Sequence, residues 1–443
     1  MPEDPTVAVV GMGYVGCCTA ATLADRGLDV VGVDVNTTLV DNLTHGRLHL
    51  DEPGLAEMIQ AATAARRLRY TTDFAAVSAC DVIVIAVGTP IAEDGSLDDR
   101  QLRDACLALR EHLRPGHLVV VKSTVPPGTT RGLVAALLAG EQRRAGVDYL
   151  LAFSPERLAE STALDDLRRF PIVVGGIDER STRAAERFWR RGIGVDVLAQ
   201  DSLETAEIVK LADNWWIDLN IALANDLAKF CALYDVDVLD VIAAANTIPK
   251  GKGHVNILLP GVGVGGSCLT KDPWMVWRAA RHRGVELHTT RVGREVNDAM
   301  PAYTAQMIID ELGALGRDPG TATVTILGVA FKNNTGDLRS SPVVGVVEKL
   351  VKAGVQVRVH DPLVDPAQVR KLLGVHPDAT VAEAVRDADC VAVLALHDAY
   401  REIDFAGLPV ARPCVVVDGR AYYPKEKIAM LRQLGYRYRG VGR

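Results

Sequence analysis

One of the eight cysteines lies in a setting that could make it a nucleophile. Cys268 follows glycines at positions 261, 263, 265 and 266 and precedes Lys271 and Asp272. Closely spaced glycines are typical of a loop that takes positive φ angles or lets a ligand come close. The pattern predicts a loop that presents Cys268 at the start of a helix, where backbone N–H groups and Lys271 favour the thiolate. Asp272 and Pro273 fit the N-cap and first turn of that helix.

The other seven cysteines have no such surroundings. They lie in apolar or helical stretches without glycine clusters, at positions 17, 18, 80, 106, 231, 390 and 414. A free cysteine is most often a small buried hydrophobe. We therefore expect these seven in the core.

Composition and charge restrict the class of protein. The chain has 443 residues, of which 48% are hydrophobic and 24% charged, as in a globular protein of two or three domains. The formal charge of −7 gives no general attraction for nucleic acid or an anionic membrane, so neither is an expected partner. Cysteines without paired spacing indicate free thiols in a cytoplasmic protein, and no metal site is expected. The sequence has no signal-peptide pattern and no apolar run near the roughly 18 residues of a membrane helix.

A dinucleotide-binding pattern occupies the start of the chain. An apolar strand runs directly into Gly11, Gly13 and Gly16 in the spacing GxGxxG, and a helical segment follows. These glycines permit a tight turn and the close approach of a pyrophosphate to the helix N-terminus. A second strand ends in Asp34, where a carboxylate bonds the adenosine ribose and repels a 2′-phosphate. The pattern therefore predicts NAD rather than NADP.

Further buried strands are predicted at 81–87 and 117–122, and polar loops follow them. Thr89 and Thr124 lie in these loops, at the sheet edge where ligands bind, although Thr before or near Pro is also ordinary turn chemistry. A similar edge precedes Glu156 and Glu160. Their spacing predicts one helical face, which is either solvated, catalytic or bracing a loop.

A long helix is predicted from Asp201 to about 235, opened by a capping box of Asp201 and Glu204. At 1.5 Å per residue it would span on the order of 50 Å, as a spine between domains would. Lys210 and Asn214 project together from it. Lys210 either snorkels from the apolar surface or acts as an electrophile for a developing alkoxide.

The last third repeats the first architecture. A strand at 323–329 and strands near 355–359, 390–396 and 414–418 predict a second Rossmann-like sheet. Its first turn lacks GxGxxG and carries Lys332 and Arg339 instead, which suit a nucleotide diphosphate or are solvated loop charges. The predicted fold is α/β, with two Rossmann-like doubly wound parallel-sheet domains joined by a long central helix in a small helical domain. The predicted boundaries are 1–200, 201–300 and 301–443.

Taken together, the motifs resemble the UDP-glucose/GDP-mannose dehydrogenase family over nearly the whole chain. They are GMGYVG, EPGL at 52–55, VGTP, KSTVPPGT, SPERLAE, the lysine–asparagine pair on the long helix, GVGGSCLTKD and FKNNTGDLRSSP. The resemblance implies oxidation of the primary alcohol of a nucleotide-linked hexose to a carboxylate by two NAD⁺. It also implies a dimer built on the central helix.

Residue roles follow from the same resemblance. Cys268 would capture the aldehyde as a thiohemiacetal, and the second oxidation would leave a thioester. Glu156, Thr124 and a water would hydrolyse the thioester, while Lys210, Asn214 and Asp272 would stabilise the oxyanion and handle protons. The implied cofactor residues are Gly11, Gly13, Tyr14, Val15, Gly16, Asp34, Thr89, Thr124, Lys271 and Arg339. The implied substrate residues are Glu156, Arg157, Leu158, Glu160, Lys210, Asn214, Lys252, His254, Asn256, Gly265, Phe331 and Lys332.

The identity of the sugar is open at this stage. We expect UDP- or dTDP-glucose, to which KSTVPPGT and Lys271 point. Val264, however, replaces the aromatic residue of the glucose type, and the run HVNILLPGVGVGG followed by DPW resembles the branch that acts on UDP-N-acetylmannosamine or UDP-N-acetylglucosamine. A two-electron hydroxyacid dehydrogenase is a further alternative, but it needs neither Cys268 nor a second nucleotide-binding sheet. A non-enzymatic NAD sensor is another, and it has no use for Cys268, Lys210 and Asn214.

The long helix also predicts the assembly. It carries Trp215, Trp216, Leu219, Ile221, Leu223 and Phe230, more apolar surface than one stripe against one domain requires. Burial across a two-fold axis is the common solution. We expect a homodimer through this helix, and an arrangement of such dimers in larger rings is compatible with it.

Overall fold

The computed structural model describes residues 2–48, 50, 52–92 and 94–443. The chain divides into two units, one of residues 1–213 with 278–285 and one of residues 214–277 with 286–443. The predicted division into three domains stays a prediction.

In the described part of the first unit, hydrogen bonds join eight strands into one sheet. The strands are Val7–Val10 (β1), Val30–Val33 (β2), Leu68–Thr71 (β3), Val82–Ile85 (β4), Leu118–Val121 (β5), Leu150–Phe153 (β6), Ile172–Gly176 (β7) and Val197–Gln200 (β8). Their order is β3-β2-β1-β4-β5-β6-β7-β8. All pairs are parallel except β6 with β7. The first six strands thus have the strand order of a dinucleotide-binding sheet.

Helices connect these strands. They are Tyr14–Asp25 (α1), Thr37–Thr44 (α2), Leu55–Ala64 (α3), Arg100–Arg110 (α4), Ala135–Ala139 (α5), Ala163–Arg169 (α6) and Glu179–Gly192 (α7), with a 3₁₀ turn at Phe74–Ala79 and a π-helical turn at Thr130–Val134. Alternate residues of β1 join different apolar clusters, Val7 and Val9 one and Ala8 and Val10 the other. The sheet therefore has an apolar layer on each face, as a doubly wound sheet requires.

Helix α8, Leu203–Ala232, is the predicted long helix. It is 30 residues long, which corresponds to about 45 Å. The predicted cap was wrong by one residue, because Ser202 Oγ accepts the bond from Thr205 N (3.1 Å). Glu204 pairs with Arg131 instead of closing a capping box with Asp201.

The second unit contains, among its described elements, a five-stranded parallel sheet. Its strands are Thr323–Leu327 (β11), Gln356–His360 (β12), Cys390–Val393 (β13), Cys414–Asp418 (β14) and Tyr436–Gly440 (β15), in the order β12-β11-β13-β14-β15; a small hairpin of Pro249–Lys250 (β9) and Gly253–His254 (β10) precedes them. The helices are Val238–Ala245 (α9), Asp272–Arg281 (α10), His288–Ala314 (α11), Pro342–Lys352 (α12), Pro366–Leu373 (α13), Val381–Ala384 (α14), Asp398–Arg401 (α15) and Lys425–Gln433 (α16). The predicted α/β fold with two Rossmann-like sheets and a long central helix is confirmed.

In the part of the chain with described coordinates, no helix combines the length and apolarity needed to cross a bilayer.

Candidate active site

The glycine turn between β1 and α1 fits a bound dinucleotide. Gly11 has a φ of 91°, and a Cβ there would lie 2.9 Å from the backbone of Ala86. A Cβ on Gly16 would lie 1.8 Å from the Gly11 carbonyl oxygen, so the turn tolerates no side chain there. A Cβ on Gly13, by contrast, would meet nothing within 4 Å. Tyr14 and Val15 begin α1 directly afterwards, so the N-terminus of α1 adjoins this open space and suits a pyrophosphate.

Asp34 lies at the end of the neighbouring strand β2. Its Oδ2 accepts a bond from Met12 N (2.7 Å), and its Oδ1 accepts one from Asn36 N (2.9 Å). The carboxylate is thus fixed beside the glycine turn, where the sequence predicts a contact with the adenosine ribose.

The predicted threonines lie in loops at the carboxyl ends of β4 and β5. Thr89 is buried and Thr124 partly buried. Ser123 Oγ, beside Thr124, donates to Val87 O (2.7 Å), so the two loops are bonded to each other. Glu207 of α8 accepts bonds from Gly128 N (2.6 Å) and Thr130 N (2.9 Å) and thereby fastens the KSTVPPGT loop to the helix.

A buried ion pair follows β6. Lys210 Nζ lies 3.5 Å from Glu156 Oε2, and both side chains are less than 10% exposed. Lys210 therefore does not snorkel.

A second buried lysine, Lys122 at the end of β5, donates to Pro155 O (3.4 Å) and lies over the ring of Trp189. Burial lowers the pKa of Lys122 to about 8; the charge of Glu156 opposes this shift and that of Lys210 adds to it.

The segment that carries Glu156 is not the predicted helix. Residues 154–159 are irregular, and α6 begins only at Ala163. Glu156 accepts a bond from Leu158 N, which holds a non-helical turn after Pro155. Glu156 and Glu160 therefore share no helical face, and the prediction of one was wrong because the local turn competes with the helix. Arg157 bonds Asp213 (2.9 Å).

In the second unit, the loop before Cys268 is tightly packed at its last two glycines, Gly265 and Gly266. A Cβ on Gly265 would lie 2.5 Å from Cβ of Phe331 and 2.7 Å from Ser340 O. Gly266 has a φ of 82°, and its N–H donates to Arg339 O (3.0 Å). The glycine run thus lets the cysteine loop lie directly on the FKNNTGDLRSSP segment.

Cys268 is exposed, whereas the other seven cysteines are buried, as predicted. It lies in a turn whose Cys268 carbonyl accepts bonds from Lys271 N (3.1 Å) and Asp272 N (2.9 Å). The following helix α10 begins at Asp272, one residue earlier than expected. The loop therefore presents the thiol to solvent at a helix start.

Asp272 is fully buried and serves two side chains. Its Oδ2 accepts a bond from Asn214 Nδ2 (2.5 Å), and its Oδ1 pairs with Lys271 Nζ (2.5 Å). The structure thus joins three of the predicted catalytic and cofactor residues of this unit into one polar cluster.

A cavity of about 160 Å³ lies beside the cysteine loop. Phe331 and Lys332 line it together with Val264 and Gly265. Arg420, which the sequence analysis missed, also lines it and donates to Phe331 O (2.6 Å). The Arg339 guanidinium pairs with Asp337 (2.5 Å).

Of the predicted substrate residues in this unit, Asn214, Lys252, His254 and Asn256 lie outside this cavity lining. Lys252 and His254 are exposed on or beside the β9–β10 hairpin, and Asn256 is exposed just after it. The Asn256 carbonyl accepts a bond from Asn220 Nδ2 (2.7 Å). Their roles stay predictions.

Models of one protein family match most of this chain. The chain matches models of the UDP-glucose/GDP-mannose dehydrogenase family: its NAD binding domain over residues 5–193, its central domain over residues 204–299 and its UDP binding domain over residues 325–425.

The relatives that resemble this chain are named for different sugars. The chain is 35% identical over 401 residues to a UDP-N-acetyl-D-mannosamine dehydrogenase of Methanococcus maripaludis, covering 90% of this chain and 87% of the relative. The solved UDP-D-ManNAc dehydrogenase of Pyrococcus horikoshii superposes with a TM-score of 0.89 at 30% identity, covering 99% of each chain. A UDP-glucose dehydrogenase of Pyrobaculum islandicum gives a TM-score of 0.88 at 35% identity, covering 99% of this chain and 98% of that one.

Lys122 generates a prediction about pH. Its folded pKa of about 8 is below its ordinary value of 10.5, so the unfolded chain binds more protons between these values. The stability that depends on Lys122 must therefore rise with pH across this window. The free energy of unfolding of the wild type minus that of Lys122→Met should increase by about 3 kcal/mol from pH about 7.5 to about 10.5. Urea denaturation at several pH values measures it.

The control is Lys352→Met, which removes an exposed lysine at the end of α12. Its difference from the wild type should be nearly independent of pH. An equally flat difference for Lys122→Met would contradict the effect of burial.

Proposed function

Because this chain belongs to the UDP-glucose/GDP-mannose dehydrogenase family, we propose that it oxidises a UDP-N-acetylhexosamine, foremost UDP-N-acetylmannosamine, at carbon 6 to the uronate. The reaction is a four-electron oxidation with NAD⁺ as the hydride acceptor. The observation that carries the proposal is the exposed Cys268 on a glycine loop, next to the buried Asp272 cluster and the cavity lined by Lys332.

The choice of sugar departs from the glucose expected at first. Relatives named for N-acetylmannosamine favour the alternative, and the run HVNILLPGVGVGG points the same way. Val264 supports it physically, because a valine in the cavity lining leaves more room than an aromatic side chain would. The UDP-glucose dehydrogenase among the solved relatives keeps glucose as the second candidate.

Cys268 is proposed as the nucleophile of the second oxidation. Its sulfur adds to the carbonyl carbon of the C6 aldehyde, and the carbonyl oxygen takes up a proton to give a thiohemiacetal. Loss of a second hydride from carbon 6 and of the hydroxyl proton gives a thioester. Water then cleaves the carbon–sulfur bond, releasing the carboxylate and the thiol.

The polar groups around these steps have separate proposed tasks. Asn214, oriented by its bond to Asp272, serves to donate to the developing oxyanion, and Asp272 serves to move its proton. Lys271 pairs with the same carboxylate and is thereby held beside Asn214. Glu156, paired with Lys210, and Thr124 direct the hydrolytic water. Glu160 supports the segment that carries Glu156.

Binding residues are proposed in the same way. Gly11, Gly13, Gly16 and Asp34 hold the cofactor, and the chemistry that it supplies when bound is acceptance of the two hydrides. Lys332 and Arg420, which line the cavity beside Phe331, hold the sugar nucleotide as cations.

The substrate is tested by a panel of nucleotide sugars. UDP-N-acetylmannosamine should give a kcat/KM at least about tenfold above those of UDP-N-acetylglucosamine, UDP-glucose, dTDP-glucose and GDP-mannose, a difference of about 1.4 kcal/mol. NADH absorbance measures the rates, and two NADH should form per sugar. Val264→Phe should lower activity on UDP-N-acetylmannosamine more than on UDP-glucose. A higher kcat/KM with UDP-glucose in the wild type would decide for the second candidate.

The nucleophile is tested with Cys268→Ser. We expect uronate formation to fall by at least about a thousandfold, because a serine does not form the thioester. Mass spectrometry of the product measures it, and iodoacetamide should label the wild type at Cys268 under native conditions. The control Cys231→Ala alters a buried cysteine of α8 and should stay active within a few-fold. Full uronate production by Cys268→Ser is incompatible with the covalent route.

The dimer proposal is carried by one face of α8. Trp216, Leu223 and Phe230 recur every seven residues and are 50%, 53% and 57% exposed. The predicted interface residues Trp215, Leu219 and Ile221 are partly buried within this chain. An apolar stripe of this kind fits a second copy across a two-fold axis.

We expect light scattering at micromolar concentration to give a dimer for the wild type and a monomer for Leu223→Glu, because the charge would be buried in the contact. Val351→Glu is the matched control, since Val351 on α12 is equally exposed (51%) but lies outside the stripe. A dimer that survives the Leu223 change would rule out this interface.

A further inference from the structure

The EPGL motif supplies a buried carboxylate that none of the steps above uses. Glu52 is 6% exposed. Its Oε2 accepts bonds from the Tyr14 hydroxyl and from Ser161 N (2.7 Å), and its Oε1 accepts one from Ala163 N (2.8 Å). One side chain thus holds three donors from two distant parts of the sequence.

The three donors belong to two different parts of the proposed site. Tyr14 is the first residue of α1, next to the open space at Gly13 where a pyrophosphate fits. Ser161 and Ala163 follow directly on SPERLAE, the segment that holds Glu156. Glu52 is therefore a direct link between the cofactor turn and the segment proposed to handle the substrate.

The segment at Ser161 needs an external partner. Ser161 has a φ of 72°, in the left-handed region that non-glycine residues rarely adopt. Ala163 N is the first N–H of α6, a group without a partner inside the helix. Bonds to an ionised carboxylate are stronger than bonds to a neutral acceptor, so Glu52 stabilises this conformation at both points.

In the hydrogen bond between Tyr14 and Glu52, the tyrosine hydroxyl is the donor. Burial, together with the hydrogen bond to Glu52, raises the pKa of Tyr14 far above its usual value. The phenol therefore stays protonated and donates to Glu52. The phenol thus ties the N-terminus of α1 to the carboxylate that holds Ser161 and Ala163.

We propose that Glu52 is a positioning residue that couples cofactor binding to the order of residues 154–163. A dinucleotide at the Gly13–Tyr14 turn fixes the tyrosine, the tyrosine fixes the carboxylate, and the carboxylate fixes the segment that presents Glu156. Because binding free energies are linked, the sugar nucleotide must strengthen NAD binding by the same factor. The inference rests on the proposed function for the role of that segment.

The first test needs NAD⁺ alone. Hydrogen exchange of peptides that cover residues 154–163 should slow on addition of NAD⁺ in the wild type, and this protection should be lost in Glu52→Gln and in Tyr14→Phe. The glutamine keeps the shape but cannot offer two anionic oxygens, and the phenylalanine removes only the hydroxyl. Tyr149→Phe is the matched control, because it removes another buried hydroxyl bond, to Ala135 O, and should keep the protection.

The second test measures the coupling itself. Titration of NADH by fluorescence, with and without saturating UDP-N-acetylmannosamine, should give at least a roughly fivefold difference in Kd for the wild type. The ratio should fall towards one in Glu52→Gln and Tyr14→Phe. A residue that merely stabilised the fold would lower the melting temperature but leave this ratio unchanged.

The outcomes separate this inference from the proposed function. A wild type without NAD⁺-induced protection, or variants that keep it, would overturn the coupling whatever the substrate is. Protection that depends on Glu52 in a protein that oxidises no sugar nucleotide would support the coupling and refute the proposed function instead.

Discussion

Carboxylates that accept backbone N–H groups, two of them buried and one partly buried, hold loops of this protein in place. Loops at the carboxyl ends of parallel strands have no neighbouring strand to bond, and their N–H groups need other partners. Asp34 supplies one to Met12, Glu52 two to Ser161 and Ala163, and Glu207 two to Gly128 and Thr130. Burying a carboxylate is costly, but several charge-assisted bonds offset the cost.

The second sheet also has a glycine turn that is held by a carboxylate. Gly328 has a φ of 82°, and a Cβ there would lie 2.2 Å from Ala395 O, as one on Gly11 would meet Ala86. Asp361, after β12, accepts a bond from Val329 N (2.7 Å), just as Asp34 accepts one from Met12 N. Here, however, Asp361 also bonds the buried His397 (3.1 Å). Asp361 thus bonds a side chain of its own domain, whereas Asp34 is predicted to bond a ribose. This difference fits the absence of the GxGxxG pattern from the Gly328 turn.

The sequence predicted what depends on local pattern. The strand and glycine spacing around Gly11, the long helix and the exposed Cys268 all followed from residues within a few positions of each other. The anchors did not, because Glu52 and Ser161 are 109 positions apart and Glu207 and Gly128 are 79 apart. The Glu156 segment was predicted as a helix since spacing alone does not reveal the turn that Glu156 forms with Leu158 N. The burial of Lys122 was not predicted, because in the sequence it is only the polar last residue of an apolar strand.

The reversal of strand direction between β6 and β7 limits how this chain can change in length. Because β7 and β8 run against the first six strands, β8 ends beside Gly175, which pairs with Phe153 at the ligand edge of β6. Helix α8 starts three residues later and places Glu207 and Lys210 at that edge. Each inserted or deleted residue between Gln200 and Glu207 would rotate both side chains by about 100°. This short stretch is therefore closed to insertions and deletions, however freely the surface loops accept them.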